Sequence, residues 1–189
     1  LRTQRRLSAQ AARPVRESAL KDWSPVEFAS GAAAMQFHRQ AAVRRAAEAG
    51  HEVTAFVRTP AKLTAPDGVN VVQGDALGAA SVAPAVAGQD AVIIALSTSH
   101  GLRKGTELEQ MARNIADAMQ IAGVKRIAVC ASAGVDGELT GPIGKMVAFT
   151  LRNPLRDHGK ALEIYRSIPS ELTVARPMGL TNDEFAEYR

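Results

Sequence analysis

The feature that most constrains this fold is a regular alternation of strand-like and helix-like segments from Ala41 onward. Five segments have strand character, at 51–57, 69–75, 90–96, 126–132 and 171–177. Helix-like stretches separate them. Alternation at this spacing requires right-handed crossovers and a parallel sheet covered by helices on both faces. The sequence therefore predicts one α/β domain with a doubly wound parallel sheet.

Two segments allow sharper predictions. The uninterrupted apolar run at 90–96 is typical of a strand buried on both faces of a parallel sheet. Residues 106–123 have the clearest helical pattern, with Thr106 and Glu109 predicted as a capping box and Gly123 at the end of the helix. Its apolar face is predicted to contain Leu108, Met111, Ile115 and Met119.

The other helices are predicted to be short. One begins at Ser81, which places Pro84 in its first turn, where proline is tolerated. Another covers residues 160–167 and leads into the strand that Pro177 closes.

The N-terminal segment does not match the rest of the chain. Residues 1–50 contain nine Lys or Arg and four Asp or Glu, whereas the remaining residues are nearly neutral. The only candidate for a first strand, residues 23–31, contains Pro25 and Glu27. In a doubly wound nucleotide-binding fold the first strand lies at the centre of the sheet, so a polar sequence is unexpected there. We expect residues 1–40 to be a basic, poorly ordered or non-native segment and residues 41–189 to be the domain.

Composition limits the classes of function. The chain is 46% hydrophobic and 22% charged, which is typical of a globular protein, and no apolar run is long enough to cross a bilayer. The arginines near the N-terminus lack an accompanying aromatic platform, so we expect a solvated tail and no nucleic-acid partner; a transit peptide is the alternative. Cys130 is the single cysteine, which indicates a reducing cytoplasm and, within an apolar strand, a buried thiol. The four histidines show no metal-ligand spacing, and we expect no metal.

Ligands of a doubly wound sheet bind at the carboxyl ends of its strands. The candidate site residues are therefore those at or directly after the carboxyl end of each predicted strand: Arg58, Thr59, Asp75, Ala76, Leu96, Ser97, Ser132, Pro177 and Met178.

Three of these residues suggest specific chemistry. An arginine at the position of Arg58 accommodates the 2′-phosphate of NADP, where NAD-binding proteins have an acid; the alternative is an ordinary exposed arginine. Asp75 either makes polar contacts to the adenine end of a cofactor or caps the next turn. Ser132 either donates a hydrogen bond near a nicotinamide or has a capping role.

Four stretches of the chain resemble a known family: "EAGHEVTAFVRTPAKL", "VNVVQGDALGAASVAPAVAGQDAVIIAL", "ARNIADAMQIAGVKRIAVCASAGV" and "LTVARPMGLTND". They are similar to the atypical short-chain reductases, the NAD(P)H-binding group that includes NmrA-like proteins and biliverdin reductase B. The resemblance implies a Rossmann-like fold and NADPH binding, with Arg58 on the 2′-phosphate. It further places Asp75 and Ala76 near the adenine, Leu96 and Ser97 along the ribose and pyrophosphate, and Ser132, Pro177 and Met178 around the nicotinamide.

The chain departs from this family in two respects. The glycines of the phosphate-binding loop fall near Ala33, Gln36 and Arg39, which leaves Gly31 as the only candidate for a loop glycine. Members of the family continue past the last strand through another strand and helix. The chain also lacks, at Tyr165, the Tyr-x-x-x-Lys pair of ordinary short-chain dehydrogenases.

The family's Asp-His pair is matched by Asp157 and His158, where helix capping by Asp157 is expected.

These observations predict an NADPH-dependent reductase that acts on a small flavin-like or quinone-like acceptor. Two alternatives stay open at this point: a non-catalytic NADP-sensing module, and a chain whose degenerate glycine loop no longer binds a cofactor. The sequence does not indicate an oligomeric state.

Overall fold

The computed structural model describes residues 32–96 and 101–176, with side chains described from residue 40 onward. The helices are α1 Ala32–Glu48, α2 Ala79–Val86, α3 Glu107–Ala122, α4 Gly141–Thr150 and α5 Arg152–Ser167. The strands are β1 Thr54–Val57, β2 Asn70–Gln73, β3 Ala91–Ile94, β4 Arg126–Cys130 and β5 Glu171–Ala175. All five predicted strands are present, each shorter than its predicted segment.

The strands form two parallel sheets within the described residues. One has the order β1-β2, with Thr54 opposite Asn70, and the other has the order β3-β4-β5, with Ala91 opposite Arg126. α-Helices connect successive strands from β2 onward, and a short 3₁₀ helix, Pro60–Lys62, lies between β1 and β2. This arrangement confirms the predicted parallel α/β architecture. Residues 23–31, the predicted first strand, lie outside the described residues. The boundary at residue 40 therefore stays a prediction, although α1 begins at Ala32.

The core lies between the larger sheet and the helices α2, α3 and α5. α3 packs against both α2 and α5. The predicted apolar face of α3 is confirmed, because Leu108, Met111, Ile115 and Met119 are all buried. They lie in one hydrophobic cluster with Ile127 and Val129 of β4 and with Leu162 and Tyr165 of α5.

The prediction that residues 90–96 are buried on both faces is wrong for β3. Ile94 is buried, but Ala91 is exposed and Ile93 is 50% exposed. The physical reason is that burial alternates along β3: Ile94 lies opposite Val129 of β4 on the face that packs into the core, whereas Ile93 lies opposite Ala128 on the other face.

The predicted capping box of α3 is also wrong. Thr106 is the N-cap residue but makes no side-chain capping bond. The carboxylate of Glu109 instead bonds to Arg113 and Lys160, two cations that attract it more strongly than a backbone N–H does. The other end of the helix is as predicted: Gly123 has a φ of +72° and terminates α3 in the left-handed conformation.

The remaining corrections concern helix limits. α2 begins at Ala79 rather than Ser81, so Pro84 lies past the first turn. α5 begins at Arg152 and is twice as long as predicted, which places Asp157 inside a helix rather than at its start. No predicted element corresponds to α4, because Gly141, Pro142 and Gly144 are residues typical of a loop.

Candidate functional site

The carboxyl ends of the parallel strands converge on one edge of each sheet, which is where the predicted site residues were expected. Arg58 follows β1 directly, and Thr59 follows Arg58; both side chains are exposed. The backbone of Arg58 is fixed by Gln73, whose Nε2 donates to the Arg58 carbonyl oxygen at 3.3 Å. The guanidinium of Arg58 thus extends into solvent from a backbone tied to β2.

Asp75 and Ala76 form the turn after β2. The Asp75 Oδ1 accepts a hydrogen bond from the backbone N–H of Leu77 at 3.0 Å, which is the turn-capping alternative for this residue. Ala76 is buried, and its carbonyl oxygen accepts from Asn114 Nδ2 of α3 at 2.8 Å. Asn114 therefore ties this turn to the core helix.

The strand end at Gly74 is unusually tight. A Cβ added to Gly74 would lie 2.3 Å from Cε2 of Phe56 on β1. Only glycine lets the backbone of this turn pass so close to the aromatic ring.

Ser132 lies two residues past β4 and is half-buried. Its Oγ lies 3.3 Å from the carbonyl oxygen of Ala133, a long local contact. The loop that follows is fixed by Glu138, whose Oε2 accepts from the backbone N–H groups of Gly134 and Asp136, both at 3.0 Å. Ser132 therefore borders an ordered loop at the carboxyl end of β4.

Two arginines hold the same loop from outside. Arg166 of α5 bonds to Asp136 Oδ2 at 2.9 Å, and Arg176, just past β5, contacts the same oxygen. Arg176 Nε also lies 3.1 Å from Glu138 Oε1. The Arg166 and Arg176 guanidiniums hold the pKa of Asp136 below its usual range. This ion-pair cluster connects the ends of β4 and β5 across the loop.

A small cavity lies beneath the carboxyl ends of β3 and β4. Its volume is about 10 Å³, enough for about one water molecule. Leu96, Cys130, His158 and Tyr165 are among the residues that line it. Burial lowers the pKa of His158 and raises the pKa values of Cys130 and Tyr165, so these side chains are predominantly neutral near pH 7.

Cys130 is half-buried, and its raised pKa agrees with a structural rather than a nucleophilic thiol. The Tyr165 hydroxyl is buried and has no hydrogen-bond partner. It cannot serve as a readily ionised acid.

Asp157 has a different role from the expected cap. It is buried in α5, and its Oδ2 accepts from the backbone N–H of Gly105 at 2.8 Å. Asp157 thus fixes the backbone at Gly105, just before the start of α3.

The structure places six of the predicted site residues after the carboxyl ends of four different strands: Arg58, Thr59, Asp75, Ala76, Leu96 and Ser132. Gly31, Ser97, Pro177 and Met178 lie outside the described residues. Sequence reasoning missed Asn114 and Arg176. Asn114 could have been found from the sequence, because it is a polar residue among the buried positions of α3. No neighbouring residue in the sequence indicates a role for Arg176.

The parallel strands, the connecting helices and the residues at the strand ends define a Rossmann-like nucleotide-binding protein. A model of the family described as NAD(P)H-binding matches residues 39–189, so the chain belongs to the NAD(P)H-binding family. This confirms the predicted membership of an NAD(P)H-binding group.

Solved structures show the same fold. The chain is similar to a Rossmann-fold NAD(P)-binding family protein from Shigella flexneri, with 25% identity, a TM-score of 0.57, and coverage of 84% of this chain and 68% of that one. It is similar to the anaerobilin reductase ChuY from Escherichia coli O157:H7, with 24% identity, a TM-score of 0.56, and coverage of 75% and 66%. A third is the NADPH-dependent quinone oxidoreductase QOR2 from Escherichia coli, complexed with NADPH, with 23% identity, a TM-score of 0.55, and coverage of 77% and 46%. The chain thus spans 46–68% of the length of these three proteins.

Within residues 32–96 and 101–176, no group of three or more histidine, cysteine, aspartate or glutamate side chains is arranged to hold a metal ion. No helix within those ranges is both long and apolar enough to span a membrane.

Proposed function

We propose that this chain forms part of an NADPH-dependent reductase that transfers hydride to a small planar acceptor of the flavin, bilin or quinone type. The bilin and quinone classes are suggested by the names of two proteins with the same fold, ChuY and QOR2. The proposal extends membership of the NAD(P)H-binding family to a particular cofactor and reaction.

The observation that carries the proposal is the exposed guanidinium of Arg58 at the carboxyl end of β1. In Rossmann-like proteins, the residue at this strand end contacts the adenosine ribose of the dinucleotide. A cation there favours the 2′-phosphate of NADP over the free 2′-hydroxyl of NAD. Thr59 follows with a hydroxyl on the same exposed turn. The residues present therefore fit NADP better than NAD.

The other predicted site residues are proposed to contact the cofactor along the same carboxyl edge of the strands. Asp75 and Ala76 are assigned to the adenine end, Leu96 to the ribose, and Ser132 to the nicotinamide end. Gly31, Ser97, Pro177 and Met178 keep the roles that the family resemblance implies. The bound cofactor would supply the hydride, while Ser132 orients the acceptor through its hydroxyl and the loop at 133–140 keeps Ser132 in place.

Titration of the full chain with NADPH and NADH tests the role of Arg58. Removal of the guanidinium in Arg58→Ala is expected to weaken NADPH binding by about tenfold to hundredfold, as for a lost hydrogen bond to a charged group. NADH binding should change little.

The matched control is Arg126→Ala, which removes an exposed arginine at the opposite end of a strand. It should leave both affinities unchanged. Equal losses for NADPH and NADH in Arg58→Ala would contradict the assignment.

The reaction is tested by oxidation of NADPH with FMN, biliverdin and menadione as acceptors. Turnover with at least one acceptor is expected. NADPH binding without turnover would contradict the reductase proposal and favour a non-catalytic NADP-sensing module.

A further inference from the structure

The outward side of α4 is apolar and exposed. Ile143, Met146 and Phe149 are 76%, 64% and 69% exposed, and no residue of α4 is buried. At about 100° per residue these three side chains lie within one arc of about 120° on the helix, which we call the α4 face. Lys145 falls at the border of this arc and is exposed. A contiguous apolar surface with a polar border is typical of an interaction site.

The opposite side of α4 packs against the protein. Gly144 lies on that side, and a Cβ added to it would be 2.8 Å from the carbonyl carbon of Leu139. Val147 and Ala148 lie on the same side and are half-buried. The close backbone contact at Gly144 therefore fixes the direction in which the α4 face points, which is away from the protein.

Positive charge is concentrated around the α4 face. Residues 101–105 and 139–156 contain five Lys or Arg and no Asp or Glu. The five cations, all exposed, are Arg103, Lys104, Lys145, Arg152 and Arg156. The carboxylates that border the second segment are already bonded, because Glu138 accepts from loop N–H groups and Asp157 accepts from the N–H of Gly105. The two segments thus form a surface with one sign of charge.

Two contacts hold the loop at 101–105 beside α4. Asn153 Nδ2, at the start of α5, donates to the Leu102 carbonyl oxygen at 3.0 Å. The guanidinium carbon of the preceding residue, Arg152, lies 4.7 Å from the centroid of the Phe149 ring. The exposed Leu102, the cations of the loop and the α4 face are therefore neighbours on the surface.

From these observations we propose that the α4 face docks on the surface of an anionic lipid bilayer. Ile143, Met146 and Phe149 enter the boundary between headgroups and acyl chains, and the surrounding cations contact anionic headgroups. α4 contains ten residues and is about 15 Å long, so it lies along the surface and does not cross the bilayer.

Charge also argues against a second copy of the chain as the occupant. A symmetric dimer through the α4 face would bring the same cations of both copies together, and like charges across an interface repel. An anionic bilayer instead complements both the apolar residues and the charge. The inference does not depend on the proposed function.

Cosedimentation of the full chain with lipid vesicles tests the proposal. One set of vesicles contains phosphatidylglycerol and phosphatidylcholine, and the other contains phosphatidylcholine alone. We expect binding to the anionic vesicles to be at least about tenfold tighter, and to weaken as the salt concentration rises.

The apolar part of the surface is tested by the double variant Met146→Glu with Phe149→Glu. Binding to the anionic vesicles should weaken by at least about hundredfold, because two apolar side chains are lost and two negative charges are added. The control is Ile121→Glu, which changes an apolar residue of α3 that is 86% exposed and lies outside the α4 face. It should bind nearly as the unaltered chain does.

The charged part is tested by the double variant Arg103→Gln with Lys104→Gln. At about 1 kcal/mol per cation, binding to the anionic vesicles should weaken by about tenfold to thirtyfold. Lys125→Gln with Arg126→Gln is the matched control, because it removes two exposed cations next to one another at the amino end of β4. The melting temperatures of all these variants should stay unchanged, since every altered side chain is exposed.

Four results would overturn the proposal. The first is a chain that does not sediment with anionic vesicles, and the second is equal binding to both kinds of vesicle. The third is binding that neither double variant of the surface weakens, which would assign it to the basic residues 1–50. The fourth is self-association that Met146→Glu with Phe149→Glu abolishes, without vesicle binding, which would assign the α4 face to a second copy of the chain.

Discussion

At the residue scale, the strongest electrostatic feature is Glu109 on α3. Its carboxylate lies 2.6 Å from Lys160 Nζ of α5 and 2.9 Å from Arg113 Nη2. These bonds lower the pKa of Glu109 to about 2. The bridge to Lys160 connects the two helices that form most of the core.

The pH dependence of stability follows from the sign of this shift. Because the folded-state pKa is lower than the unfolded value of 4.5, the ionised carboxylate stabilises the fold above about pH 4.5. This stabilisation is lost as the pH falls towards 2. In Glu109→Gln we expect a smaller decrease in melting temperature between pH 5 and pH 2.5 than in the unaltered chain.

The matched control is Glu163→Gln, an exposed carboxylate on α5. It should keep the full pH dependence. Identical pH profiles for Glu109→Gln and the unaltered chain would contradict this account of the α3–α5 bridge.

Tyr165 is the second residue with a clear expected outcome. Its side chain is 1% exposed, and its hydroxyl is buried without a hydrogen-bond partner. Because a buried unpaired polar group is unfavourable, Tyr165→Phe should raise the free energy of unfolding by about 1 kcal/mol, measured by urea denaturation. Tyr165→Leu, which also removes ring volume, should lower it. A destabilised Tyr165→Phe would show that the hydroxyl is bonded, for example to a water in the adjoining cavity.

At the scale of elements, sequence periodicity predicted the strands and the α3 core face but not the features set by distant contacts. The face of α3 follows from helical spacing, which is local information. The interior position of Asp157 depends on Gly105, 52 residues away, and the failed capping box depends on Lys160. α4 was missed because its glycines and proline resemble a loop when tertiary packing is unknown.

The β1-β2 pair provides a test of packing at this scale. Gly74→Ala would bring a Cβ to 2.3 Å from the Phe56 ring, so the ring or the turn must move. We expect a loss of about 1–3 kcal/mol in the free energy of unfolding, as for other overpacked sites.

Gly159→Ala is the matched control for this substitution. It adds the same methyl group inside α5, 3.6 Å from Val135, and should stabilise the protein by about 0.5–1 kcal/mol. Rescue of Gly74→Ala by Phe56→Leu would identify the ring as the cause. No loss of stability in Gly74→Ala would contradict the close approach.

At the scale of the whole molecule, the sequence predicted the fold class and family, and both are confirmed. The predicted first strand, residues 23–31, lies outside the described residues, and its weakness in the sequence stays a prediction. The sequence predicted which residues lie at the candidate site, because ligands of such sheets bind at the carboxyl ends of the strands. It did not predict which side chains these residues contact. Asn114, Arg166 and Arg176, which hold the site's turns and loops, are apparent only after folding.

The proposed NADPH site runs along the carboxyl ends of the strands. Amide hydrogen exchange of the full chain, measured with and without saturating NADPH, locates the bound cofactor. We predict slower exchange in the segments after β1, β2 and β4, around Arg58, Asp75 and Ser132, and unchanged exchange at the amino ends, around Arg126 and Glu171. Unchanged exchange in all three segments, or protection confined to the amino ends, would contradict the proposed site.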